Sequence, residues 1–165
     1  MIIDKLIWFR KLSWRNHIAY TVNKKNLFYF LQVIINAHEK VKVVRNNKKN
    51  YFYQNDGRDL YDIVYLVLSL NKMSYIAFLK RASEGYGCSP SEGCGYSLDQ
   101  NWDVPEDFNE VSFMFGDYES SAISPQKFVD LISFLSRSYI KEYQDDEGLV
   151  IIYITKLQER YQPFC

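Results

Sequence analysis

Apolar residues recur at helical spacing at Leu27, Phe30, Leu31 and Ile34, with His38 extending the stripe and Asn23 or Asn26 placed to cap its start, so the pattern predicts a helix over about 24–38. The next stretch, VKVVRNNKKNYFYQNDG (41–57), sets two β-prone runs around a polar, basic Asn/Lys turn and closes on Asp56-Gly57, which is the pattern of a hairpin. DLYDIVYLVLSL (59–70) is a dense apolar run, long enough to favour a buried helix over a strand. A further helix follows over 74–83, with Tyr75, Phe78 and Leu79 inward and Lys80 and Arg81 near its C-terminus, where the helix dipole favours positive charge.

The texture then changes. Four of the seven glycines fall within 85–95, and EGYGCSPSEGCGYSLDQNWDVPEDF (84–108) reads as one long irregular loop. Loops of that length in a compact domain serve function more often than connection, the alternative being a mobile surface insertion. Tyr96, Trp102 and Phe108 interleave with its acids, as aromatic anchors do at interface centres. Residues 110–115 alternate, with Val111, Phe113 and Phe115 on one face and Ser112 and Met114 on the other, which predicts a half-buried strand. A turn over 116–120 leads to a short second strand at 121–123. Ser124-Pro125 supplies a cap oxygen and a first-turn proline for a helix running to about residue 142, with a core stripe of Phe128, Leu131, Ile132, Leu135, Tyr139 and Tyr143. In the last element, about 147–160, Val150, Tyr153, Ile154, Leu157 and Tyr161 fit a helix. The β-branched run VIIYIT fits a strand nearly as well, and the helix is the preferred reading. The predicted fold class is α+β, several helices around a small antiparallel sheet, as a single domain over 1–165 in which 1–71 is a candidate N-terminal helical lobe.

Composition sharpens this picture. With 165 residues, 47% apolar and 24% charged, the chain has enough apolar sequence for one ordinary core. The longest uninterrupted apolar runs, 63–68 and 149–154, are far below the ~18 residues a membrane span needs. Net charge is zero, but it is polarised: residues 1–82 carry fifteen Lys/Arg against five Asp/Glu, and 83–165 carry five against fifteen. No basic residue lies between Arg81 and Lys127, a gap holding nine acids, Glu84, Glu92, Asp99, Asp103, Glu106, Asp107, Glu110, Asp117 and Glu119. A field of that size steers a basic partner even when the molecule as a whole is neutral, the plainer alternative being well-solvated acidic loops.

The candidate chemistry is sparse. Three cysteines and no secretory signal in MIIDKLIWFRKLSWRNH predict a reducing, cytoplasmic setting. Cys88 and Cys94 stand at C-x5-C with no second pair nearby, and His17 and His38 are isolated, so no metal is expected. The sequence carries no phosphate-binding glycine loop and no G-x-S-x-G elbow, and acids without neighbouring His, Lys or Arg read as a binding face. A non-enzyme without cofactors is the expectation. Two alternatives compete with an acidic binding face. Lys40, Lys42, Arg45, Lys48 and Lys49 surround Tyr51, Phe52 and Tyr53, a mixture that can hold single-stranded RNA, or equally an ordinary solvated hairpin. The oppositely charged halves could also meet in a head-to-tail oligomer.

Residues of about 72–146 resemble the immunity proteins of bacterial contact-dependent growth-inhibition systems, in particular the ribonuclease-toxin immunity family. The likeness rests on Phe78-Leu79, a glycine turn at Gly85 and Gly87, the GCGYS segment 93–97 and a Pro-acid-acid-Phe step at 105–108. It continues through Val111 and Phe113, the turn into Ile123-Ser124, Phe128 and Leu131, and the YIKEY run 139–143. These are fold-forming positions rather than a chemical motif, and the likeness leaves the first seventy residues without a counterpart, so the partner surface could lie there instead. The resemblance implies a cytoplasmic inhibitor that binds a cognate C-terminal nuclease toxin domain 1:1 and occludes its cleft or RNA path, without touching nucleic acid or membrane itself. Nuclease clefts are basic to hold phosphates, so an acidic, aromatic-studded face complements them. The implied contacts are Glu84, Glu92, Tyr96, Asp99, Trp102, Asp103, Glu106, Asp107, Glu110, Asp117, Tyr118 and Glu119. A competing geometry uses the basic half against an acidic patch of the toxin.

Overall fold

The computed structural model describes residues 47–116 and 118–164. The helix expected over 24–38, the region of His17 and His38, Lys40, Lys42 and Arg45, and Asp117 lie outside the described residues.

The described chain begins with a helix where a hairpin was expected: α1 is Asn47–Gln54. The Asn/Lys run is its first turn, and Tyr51 and Phe52 sit on the side of the helix that meets α-helical neighbours. Phe52 is fully buried, and the Tyr51 ring stacks on Phe134 at 3.8 Å. Asp56-Gly57, the expected end of a hairpin, closes α1 instead. Asp56 adopts a left-handed conformation (φ 57), one that Asp tolerates better than most residues, and the Gly57 N–H returns to the Phe52 carbonyl at 2.8 Å.

Helix α2 (Arg58–Ser69) buries Leu60, Ile63, Val64, Val67 and Leu68 at spacings of three and four, as expected of the 59–70 run. Helix α3 (Tyr75–Ser83) is capped by Ser74, whose hydroxyl accepts from the Ala77 N–H at 3.1 Å, and it buries Tyr75, Phe78, Leu79 and Ala82.

The segment expected to be irregular contains half of the sheet. β1 (Cys88–Ser91) and β2 (Cys94–Tyr96) form a hairpin across a tight turn at Glu92-Gly93, and β3 (Val111–Phe115) and β4 (Tyr118–Ile123) complete a four-stranded antiparallel meander in the order β1-β2-β3-β4. β4 starts three residues earlier than the expected 121, which shortens the β3–β4 turn. Tyr96 pairs with Phe113, and Phe113 with Ser121. Pro90 is tolerated because β1 is an edge strand. Gly93 takes φ 65 in its turn, and its carbonyl accepts from the Gly116 N–H at 2.6 Å, so the two hairpin turns lie side by side at one end of the sheet.

Helix α4 (Pro125–Glu142) starts and stops where the sequence puts it: Ser124 Oγ accepts from the Lys127 N–H at 3.2 Å, and Pro125 occupies the first turn. Its stripe from Phe128 to Tyr139 is buried, while Tyr143 is half-buried at the C-cap. A 3-10 turn at Gln144–Asp146 leads straight into α5 (Glu147–Tyr161), so VIIYIT is helical. Val150, Leu157 and Tyr161 of α5 are fully buried, and with half-buried Tyr153 and Ile154 they seat the helix across α3 and α4. The core sits between the inner face of the sheet and the helices, with the Tyr96 ring 5.4 Å from Phe128 and 6.2 Å from Phe78. The fold is α+β with a small antiparallel sheet, in agreement with the sequence reading.

Candidate functional site

The longest connection between described elements, from β2 to β3, carries five of the nine acids between Arg81 and Lys127 and is ordered by two 3-10 turns, Asp99–Asn101 and Pro105–Asp107. Its first turn is pinned to the end of α3. Asn101 Oδ1 accepts from the Gly87 N–H at 2.7 Å and the Leu98 N–H at 3.1 Å, and the Gln100 N–H donates to the Gly85 carbonyl at 2.9 Å. Gly85 takes φ 84, and a side chain there would run into the Arg160 guanidinium. Arg160 reaches from α5 to grip the Asp99 carboxylate, with Nε donating at 3.0 Å to Oδ1 and Nη2 donating to Oδ2; the Tyr161 hydroxyl adds a bond of 2.6 Å to Oδ1. Burial works against the charged carboxylate. The hydrogen bonds from Arg160, Tyr161 and Gln100 and the guanidinium charge outweigh it, so Asp99 titrates below the ordinary carboxylate range. Beneath the second turn, buried Phe108 packs edge-on against Trp102 at 5.7 Å and against Tyr161 at 5.6 Å.

The outer surface of this connection is an acidic rim around an apolar floor. Asp103, Glu106 and Asp107 are exposed and make no ion pair with a described residue, Trp102 is half-buried, and Val104 is 48% exposed. Ser97, Asn101, Trp102, Asp103, Val104 and Asp107 line an open groove of about 460 Å³. Glu84 joins the same end of the molecule through Gly85, and it meets Lys80 only in an exposed pair at 3.9 Å. No known protein family, curated protein or solved structure matches the chain.

The eleven implied contacts that lie among the described residues do not form one face. Trp102, Asp103, Glu106 and Asp107 lie together on the β2–β3 connection, and Glu84 sits at the end of α3, next to the Gly85 carbonyl that accepts from the Gln100 N–H. Exposed Glu92 stands at the opposite end of the sheet, beside the turn whose far side enters β4 at Tyr118 and Glu119, roughly 14 Å away along β3. Two expected contacts are corrected. Tyr96 is a core residue: 6% exposed, its ring faces Phe78, Phe113 and Phe128, and burial beside the Cys88 thiol holds its hydroxyl far above its usual titration range. Alternation along β2 turns it inward. Asp99 is a structural carboxylate already engaged by Arg160 and Tyr161. Glu110 is half-buried and accepts from Ser112 Oγ at 3.4 Å.

The residues that sequence reasoning missed are Val104, Arg160 and Asn101. Arg160 lies sixty-one positions from Asp99, and no local pattern joins them.

Burial pushes the Cys88 thiol up to about 12 and raises Cys94, so neither is a thiolate near neutral pH. Among the described residues no group of three or more His, Cys, Asp or Glu side chains is placed to hold a metal ion, and no helix is long and apolar enough to cross a membrane. In the basic segment Phe52 and Tyr51 turn inward. Exposed Tyr53 has Lys49 Nζ 5.1 Å and the Arg58 guanidinium 5.4 Å from its ring centre. Burial lowers the Lys48 ammonium, with Glu142 opposing the shift.

Proposed function

We propose that this protein is an immunity protein that neutralises a cognate nuclease toxin domain of a contact-dependent growth-inhibition system, by stoichiometric binding and without chemistry of its own. The observation that carries this reading is the groove on the β2–β3 connection, where Trp102 and Val104 lie beside the exposed carboxylates of Asp103 and Asp107, with exposed Glu106 on the same 3-10 turn, and are braced from behind by the Asp99–Arg160 pair. Bracing matters because a loop already held in one conformation loses little entropy on docking. The acids steer a basic nuclease toward the surface, and the aromatic floor supplies desolvated contact once it arrives. The resemblance of residues 72–146 points to the same partner. Within this reading the contact set narrows to Glu84, Trp102, Asp103, Val104, Glu106 and Asp107.

The experiment mixes this protein with the nuclease toxin domain encoded beside it and follows binding by titration calorimetry and cleavage of total tRNA. Tight 1:1 binding with loss of cleavage is the expected result. An absence of binding at micromolar concentration would remove the immunity reading. Direct binding of RNA by this protein alone, lost in Lys48→Glu/Lys49→Glu, would replace it with the RNA-binding one.

A further inference from the structure

Helix α5 leaves an apolar face outward. Leu149 and Ile152, three positions apart, are 45% and 49% exposed, whereas Ile151 turns to the other flank of the helix and lines the groove between α4 and α5 with Ile140 and Ile154. Exposed aliphatic side chains clustered on one helix face mark an interaction surface more often than isolated ones do. The order of residues along this face says what covers it. Asp145, Leu149, Ile152 and Lys156 follow one another at steps of four, three and four, which is the spacing of a helix–helix seam, and all four are exposed. Asp145 belongs to the 3-10 turn that runs directly into the helix. Neither Asp145 nor Lys156 makes an ion pair with a described residue.

The stripe reads acid, Leu, Ile, base. Inverted, it is complementary to itself. An antiparallel pair of α5 helices related by a two-fold axis, centred between Val150 and Ile151, sets Leu149 against Ile152 of the second copy and Asp145 against Lys156 of the second copy. Both contacts then occur twice by symmetry. No other register joins the two aliphatics and also places both charges opposite their counter-ions. We propose that the outer face of α5 is a self-association surface, and that its occupant is a second copy of this chain in this antiparallel register. This is an isologous contact, distinct from a head-to-tail meeting of the basic and acidic halves, and it is independent of the toxin reading.

The test is sedimentation equilibrium of the full chain over a concentration series, with circular dichroism to verify that each variant folds. The wild type is expected to dimerise at micromolar to tens-of-micromolar concentration, and Ile152→Asp to be monomeric throughout. Asp145→Lys or Lys156→Asp alone should weaken the dimer roughly five- to tenfold, since each places like charges together at two symmetric positions. The double variant Asp145→Lys/Lys156→Asp should recover most of the wild-type association, because the pair is restored with its signs exchanged. A wild type that stays monomeric up to about a hundred micromolar would overturn the proposal. So would a dimer indifferent to Ile152→Asp, or single-variant losses that the double exchange fails to repair.

Discussion

Asp99 shows how much one side chain's role depends on what it meets. In the sequence it is one acid among nine, with nothing to separate it from Asp103 or Asp107. In the fold its carboxylate is the anchor that ties the β2–β3 connection to the last turn of α5. Truncating Arg160 to Ala leaves that carboxylate mostly buried without its cation, and should cost about 2 kcal/mol, seen as a fall of about 6 °C in Tm. The same residue sets an acid limb. Because its folded titration point lies below the unfolded one, its contribution is complete above about pH 4 and is lost as pH falls through the lowered folded value. Urea unfolding across the acid range should therefore lose part of its pH dependence in Asp99→Asn. An unchanged acid limb would mean that the pair stabilises nothing.

At the level of elements, local signals succeeded where the chain carries its own punctuation. Ser124-Pro125 caps and opens α4 without help from elsewhere, and Ser74 does the same for α3. Ser124→Ala should lower stability by about 1 kcal/mol while Ser124→Asp preserves it, measured as urea midpoints at unchanged slope. The β1–β2 hairpin had no such signal. Its strands read CSPS and CGY, without a β-branched residue and with a proline and a glycine inside them, so propensity alone rejects them. They are strands because β3 offers Tyr96 and Cys94 a pairing edge. α1 misled in the opposite sense: its Tyr-Phe-Tyr run favours extended chain, but burial of Phe52 and the stacking of Tyr51 on Phe134 make the helix the better arrangement.

On the scale of the whole molecule, the sheet separates the described acids between Arg81 and Lys127 into two places. The rim around Trp102 and the turn at Glu92 lie at opposite ends of β3, so a single docked partner of ordinary footprint engages one of them centrally. If the groove is the docking site, reversing Asp103, Glu106 and Asp107 to Lys should slow association with the nuclease about tenfold at low salt and flatten its salt dependence, whereas Glu92→Lys should change the rate less than about twofold. Stopped-flow rates at several ionic strengths distinguish the two. Equal effects from both ends would mean that the molecule acts through its overall field and not through the groove.

The sequence by itself determined the α+β class, the buried helix after Arg58, the capped start of α4, and the concentration of acids between Arg81 and Lys127, because each depends on periodicity, a cap or a count within a short window. Tertiary structure alone decided which of those acids face solvent, since Asp99 is taken out by an arginine sixty-one residues away, and Tyr96 by the pleat of a strand that exists only once β3 is beside it. It also decided that Leu149 and Ile152 stay outside. Apolar sequence shows that a residue is able to be buried, but whether a neighbour arrives to bury it depends on how many faces the rest of the fold can cover.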